Sequence, residues 1–327
     1  MPSSSTPEPG REPGGREAVE VEETAGAAEG AVQGEAALGA KEISTGRWLT
    51  TTAWATPGTL WLLFFLLGPV VMILLVGAWA WTPSGFEQGA WTLDNYRGLF
   101  GSDIYWEQLR ESVVNSLIVV AACLVFGFPV GYFLAIHLKS LRTQIAFFIV
   151  ALAPFWTSYL IRAVAWLPMM GRRGAINTIL EKLGIIGEPL DILLFSSFAV
   201  TLAMIQLYIL FMIAPIFFML AQIDRSSLES ARDLGANWFK TFREVILPQS
   251  MPGIVIGSIF VFVLTMGEYG TVRIIGGGRV SSVGVIVNNN VIGVQYPQAA
   301  TSAVFLVLAM MVGVFVLLRF SNLREEL

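Results

Sequence analysis

The stretch QIDRSSLESARDLGANWFKTFREVILPQSMPG, residues 222–253, decides how this chain is read. It lies between two long apolar runs, yet it carries four basic side chains (Arg225, Arg232, Lys240, Arg243) and four acidic ones (Asp224, Glu229, Asp233, Glu244). Ser226 followed three residues later by Glu229 is a capping-box pair, in which hydroxyl and carboxylate satisfy each other's unpaired helix-start amides. A helix is therefore predicted to start near Ser226. Gly235 suits the left-handed position that ends such a helix, Asn237 can cap the next, and Pro248 is predicted to stop that second helix after Leu247. On helix signals alone, residues 222–250 form either a plain connector or a charged helix-turn-helix that meets something outside the membrane.

The flanks say what kind of chain carries it. Hydrophobic residues make up 55% and charged residues 13%, about half the charge of a soluble domain, which implies an integral membrane protein. The net charge of −4 is misleading, because residues 1–47 hold nine Glu against four basic residues, leaving the remainder at about +1. That segment has almost no large apolar residue and is expected to be a disordered, acidic cytoplasmic tail, followed by a transmembrane domain over 48–327. It lacks the short apolar core of a cleavable signal, so the first membrane helix is expected to act as an uncleaved anchor.

A bilayer core needs about 20 apolar residues per crossing, and six stretches meet that need. They are about 59–81, 112–136, 143–167, 196–221, 252–272 and 299–318. Small residues at helix-packing spacing occur in the second (Gly127, Gly131) and the fifth (Gly253, Gly257), and Pro129 invites a kink in the second. The predicted fold class is all-α integral membrane, with six transmembrane helices and a cytoplasmic helix-turn-helix loop. Alternating sides from the amino terminus place twelve basic residues inside and seven outside, which puts both termini and the 222–250 loop in the cytoplasm.

Several functions are excluded or disfavoured. One Cys (Cys123) and one His (His137) rule out a disulfide framework and a metal site built on several such ligands. A single His at a membrane edge leaves no hydrolytic triad. There is no Gly-x-x-x-x-Gly-Lys-Ser/Thr phosphate loop, so ATP hydrolysis by this chain is not expected. Only Arg162 and Glu268 are ionisable within the predicted spans, too few for a proton relay. Arg162 either snorkels outward or lines a pathway; Glu268 attracts a cationic substrate, pairs with Arg162, or sits at the outer interface. Aromatic faces at Trp156, Tyr159 and Trp166 can contact an ammonium or a methylene chain, or pack against lipid.

Glu229-Ser230-Ala231, three residues, Gly235, nine residues, then Val245-Ile246-Leu247-Pro248 resembles the Glu-Ala-Ala loop of permease subunits of bacterial ABC importers. Glu229, Ala231, Gly235, Leu247 and Pro248 match that pattern, while Ser230 and Val245 depart from it conservatively. The resemblance covers most of residues 59–320. Further similarities are Trp91-Thr92-Leu93-Asp94-Asn95-Tyr96 in the first external loop and Asn115-Ser116-Leu117. It implies that Glu229, Ser230, Ala231, Arg232, Asp233, Gly235, Leu247 and Pro248 form a coupling helix docked on a cytoplasmic ATPase dimer. The complex would include a second, homologous permease and an extracytoplasmic substrate-binding protein in the bacterial inner membrane. ATP and magnesium would be used by the ATPase partners, with no cofactor on this chain, and partners would include membrane lipid but no nucleic acid.

The segments Pro154 to Trp166, Gly174 to Asn177 and the loop from Ile274 to Pro297 resemble the polyamine branch, implying putrescine or spermidine as substrate. The pathway candidates are then Trp156, Tyr159, Arg162, Trp166 and Glu268. Gly267-Glu268-Tyr269-Gly270 is also similar to thiosulfate, sulfate and molybdate permeases, which stay open as alternatives. So do an ion-coupled secondary transporter and a membrane scaffold without transport.

Overall fold

A computed structural model of the chain describes residues 54, 56–82, 85–138 and 140–320. The 1–47 tail lies outside the described residues, as do Lys139 and Arg324 from the basic-residue count. The chain divides into two units, Met1–Val70 and Val71–Leu327. The first contributes most of helix α1 (Thr56–Gly77). Its apolar side chains from Leu60 to Leu67 are all exposed, and Trp61 lies 4.5 Å from Phe65 along one face. A helix that is apolar all round and unburied is satisfied by a bilayer and not by a protein core.

In the second unit, α1 gives way to an antiparallel hairpin, β1 (Trp79–Thr82) and β2 (Gly85–Trp91). The stretch expected as the end of the first span, 77–81, is thus partly strand, because hydropathy alone does not separate an apolar strand from a helix end. The opposed Trp79 and Trp91 meet edge to face at 6.3 Å. Thereafter the chain is helical: α2 (Asp94–Phe100), α3 (Asp103–Tyr132), α4 (Leu141–Leu152), α5 (Tyr159–Val164), α6 (Trp166–Met170), α7 (Ala175–Lys182) and α8 (Ser197–Leu220). Then come α9 (Arg225–Asp233), α10 (Trp238–Thr241), α11 (Leu247–Met266), α12 (Gly270–Gly276), α13 (Val283–Ile292) and α14 (Tyr296–Phe320).

Five of these runs are long and apolar enough to cross a membrane: Thr56–Gly77, Asp103–His137, Ser197–Leu220, Trp238–Met266 and Tyr296–Arg319. A sixth arises if the bent pair Leu141–Trp156 and Tyr159–Lys182 is one span. The third stretch is therefore not one straight helix over 143–167. It turns by 86° where Pro154 tightens the last turn into a 3-10 helix and Thr157 and Ser158 go extended. Pro129 stays inside a continuous α3, and five residues of π-helix, Phe133–His137, follow it. The fifth stretch ends at Met266, and the expected tail of that span forms the separate helix α12.

The core of the second unit is α8, with α3 and α11 packed against it. The small residues explain how closely. A Cβ at Gly253 would lie 2.7 Å from the Pro215 carbonyl oxygen, and one at Gly257 would lie 3.1 Å from the Met212 Cα. On the other flank, Cβ atoms at Gly127 and Gly131 would lie 3.3 Å and 3.0 Å from Ile213 and Ile216 side chains. Both small-residue pairs thus face the same helix, as backbone-to-backbone packing in membranes favours.

Candidate functional site

Two places bring the sequence candidates together. The first is the 222–250 loop. Helix α9 starts at Arg225, one residue earlier than predicted, because Asp224 caps it: the Ser226 amide donates to Asp224 Oδ1 at 3.1 Å. That bond holds the Asp224 carboxyl below the usual carboxylate range, since a hydrogen bond to the charged form favours it. Ser226 is thus the residue capped and not the cap. At the far end Gly235 takes φ +78°, and the Ala236 amide donates to the Ala231 carbonyl at 3.0 Å, a left-handed helix stop of the Schellman kind. Asn237 Oδ1 then accepts from the Lys240 amide at 2.8 Å and starts α10.

Pro248 does not stop the second helix. It lies just inside α11, directly after the π-helical residues Phe242–Ile246, which join α10 to α11. The chain is consequently helical from Trp238 to Met266. The loop is seated by rings: Trp238 stacks on Phe242 at 5.5 Å, and Phe242 meets Phe128 of α3 edge to face at 5.7 Å. His137 stacks on Phe133 at 5.7 Å just beyond α3. Glu229, Ser230, Asp233, Gly235 and Pro248 are exposed, and Ala231 and Leu247 are half-buried. The Arg232 side chain lies outside the described residues. Leu234 is 88% exposed at the tip, with Trp238 and Phe239 exposed beside it, an apolar group that a solvated connector has no reason to display.

The second place is the gap between α11 and α12. Glu268 is 6% exposed, and its carboxylate is fully engaged. Oε1 accepts from the Tyr159 hydroxyl at 2.5 Å and the Thr271 amide at 2.8 Å, while Oε2 accepts from the Tyr208 hydroxyl. Its backbone carbonyl accepts from Ser282 Oγ at 2.9 Å. One acidic residue therefore ties the first residue of α5, the middle of α8, the start of α12 and the cap of α13. Among the described residues Glu268 makes no ion pair with Arg162.

Arg162 lies one turn along α5 from Tyr159. Its guanidinium carbon is 4.6 Å from the Phe155 ring centroid, and its Nε and Nη1 are buried without a hydrogen-bond partner. Trp166 is half-buried and its Nε1 donates to Gln206 Oε1 at 3.3 Å. Trp156 is 80% exposed and joins neither cluster. Tyr208 and Thr271 were not among the expected site residues. The signal for Tyr208 was present: each of three polar side chains inside apolar α8 has a partner on another element, Thr201 with Asn115, Gln206 with Trp166, and Tyr208 with Glu268. A polar side chain in such a helix asks to be matched.

A cavity of about 740 Å³ opens beside this cluster between α3 and α8, lined in part by Arg110, Asn115, Thr201, Met204 and Ser282. Asn177, in α7, is fully buried and bonds the Gly171 carbonyl and both backbone groups of Leu190, so it holds a loop together.

Comparison with known proteins adds the following. Residues 117–325 match the family described as binding-protein-dependent transport system inner membrane component. The spermidine/putrescine transport system permease protein PotB of Haemophilus influenzae is 34% identical over 271 residues, covering 81% of this chain and 92% of that protein. PotB of Escherichia coli is 31% identical over 267 residues, covering 81% and 96%. The inner membrane ABC transporter permease protein YdcU of Escherichia coli is 30% identical over 247 residues, covering 68% and 77%. Among solved structures, a chain of a bacterial ABC transporter that imports the acidic polysaccharide alginate superposes with a TM-score of 0.60 at 19% identity, covering 84% of this chain and 95% of that one.

Proposed function

We propose, from the premise that this chain belongs to the binding-protein-dependent transport system inner membrane components and is a permease subunit of an ABC importer, that it moves polyamines and is driven through its 222–250 loop. The observation that carries the coupling is the tip of that loop. A doubly capped, charged helical turn displays Leu234, Trp238 and Phe239 to the outside, and its second helix runs unbroken into a membrane span. A partner that closes on the tip thereby moves α11. In this reading the partner is a cytoplasmic ATPase dimer, a second permease completes the pathway, and a binding protein delivers the solute from outside. A related arrangement is named for the alginate transporter, whose complex includes a periplasmic protein. Both termini then face the cytoplasm.

Putrescine or spermidine is the substrate favoured by the PotB relatives at 31% to 34% identity. The test is to purify the tagged protein gently from its native membrane and identify what accompanies wild type, Gly235→Asn and Leu234→Asp. Asn tolerates the left-handed conformation, so Gly235→Asn should keep the ATPase and Leu234→Asp should lose it. A copurifying binding protein is then assayed with polyamines. Absence of any ATPase from wild type would defeat the reading.

A further inference from the structure

We infer that the Glu268 carboxylate exchanges partners during transport, holding Tyr159 in the conformation seen here and Arg162 in the alternate one. The inference rests on the ATP-driven reading above and adds to it a specific moving part. Three observations carry it. First, Tyr159 is the first residue after the 86° break of the third span, and Glu268 sits in the break between α11 and α12. The hydrogen bond between them therefore bridges two discontinuities, where backbone rotation is least restrained. Second, Arg162 shares the Tyr159 face of α5, three residues on. Its Nε and Nη1 are buried without hydrogen-bond partners. The residue as a whole is half-buried, but buried guanidinium nitrogens are costly unless matched, and the Phe155 ring beside them supplies no hydrogen-bond acceptor oxygen. Third, α12, α8 and α6, which pack against α5, carry no acidic residue, and Glu268, two residues before α12, is already bonded to α5 through Tyr159.

The geometry of exchange follows from the helix repeat. Sliding α5 past α12 by three residues, a rise of about 4.5 Å with a modest rotation, carries Arg162 to the position Tyr159 now holds. Steps of this size, one element ratcheting about a turn past another, are known switching motions. α5 is joined to α4 through Thr157 and Ser158 and to α6 by Ala165 alone, so Tyr159–Lys182 slides as one arm, separately from Leu141–Trp156. The lock is discrete: Oε1 accepts either a phenol or a guanidinium at this place. Tyr208 and the Thr271 amide stay bonded and keep the carboxylate aimed.

Cross-linking in the assembled transporter tests this. In a Cys123→Ser background, which removes the chain's single cysteine, the pairs Tyr159→Cys with Glu268→Cys and Arg162→Cys with Glu268→Cys are oxidised before and after vanadate trapping of the ATPase. The 159–268 link is expected in the resting complex and to fall at least about fivefold on trapping, while the 162–268 link rises by a similar factor. A 159–268 yield unchanged by trapping, or a 162–268 link equally strong at rest, overturns the exchange. Lack of vanadate trapping by wild type removes the ATP-driven reading and the proposal with it.

Because cysteine at 268 deletes the carboxylate, a second measurement keeps the other groups intact. Arg162→Gln and Glu268→Gln are each expected to lower uptake by reconstituted transporter about tenfold, the scale of one charge-assisted bond, and the double variant no further. A multiplicative loss near 100-fold would mean that the two residues act independently and would sink the idea.

Discussion

Asp224 and Ser226 compete for one task, and the structure gives it to Asp224. The aspartate stands where its oxygen reaches the Ser226 amide, and a carboxylate at a helix start also meets the positive end of the helix dipole. Asp224→Ala should therefore speed amide hydrogen exchange at residues 226–228, whereas Ser226→Ala should leave it unchanged; the reverse pattern would restore the capping box. The pH sign follows from the lowered carboxyl. The cap is fully present above the ordinary aspartate range and is lost as pH falls through the folded-state value, so α9 should fray only under clearly acidic conditions. At the other cluster, Tyr208→Phe keeps the ring but leaves Glu268 Oε2 without its donor. A buried acceptor stripped of its partner costs about 1–3 kcal/mol, so a measurable drop in the thermal midpoint of the detergent-solubilised complex is expected.

At the scale of elements, the continuous helix from Trp238 to Met266 is, in the proposed reading, the link that carries the loop's movement into the membrane. Inserting two glycines between Ile246 and Leu247 should leave ATPase binding intact and abolish uptake, which parallel pull-down and transport assays would separate. Much of this was legible in the sequence where a single residue dictates backbone shape. Gly235 announced its left-handed turn and Asn237 its cap, because each depends on neighbours within four positions. The break in the third span was hidden, because hydropathy reports how apolar a stretch is and not which way it runs. Pro154 alone did not give the turn, which also needs extended Thr157 and Ser158. Tyr208 was visible as a polar side chain in an apolar helix, but its partner was hidden for another reason: Glu268 is sixty residues away, and pattern reading pairs only near neighbours. Glu268 itself was found, with a cationic substrate, Arg162 or the outer interface as its expected surroundings, when the hydroxyls of Tyr159 and Tyr208 and the Thr271 amide in fact surround it.

For the whole molecule, orientation is the first thing to fix by experiment. Lys182 and Lys240 are both exposed and belong to opposite sides in the proposed topology. With Cys123→Ser as background, an impermeant thiol reagent added to intact cells with a permeable outer layer should label Lys182→Cys and spare Lys240→Cys; labelling of the second alone would invert the topology. The glycines that let α3 and α11 touch α8 reach further than packing. A Cβ at Gly253 meets the Pro215 carbonyl, so Gly253→Val should cost about 1–3 kcal/mol, seen as a lower unfolding temperature. With backbones that close on both flanks, α8 cannot turn about its own axis without colliding with its neighbours. In the proposed reading, spans two, four and five then travel as one block, so a stroke that the loop delivers to α11 shifts α3 and α8 with it, relative to α5 and α12.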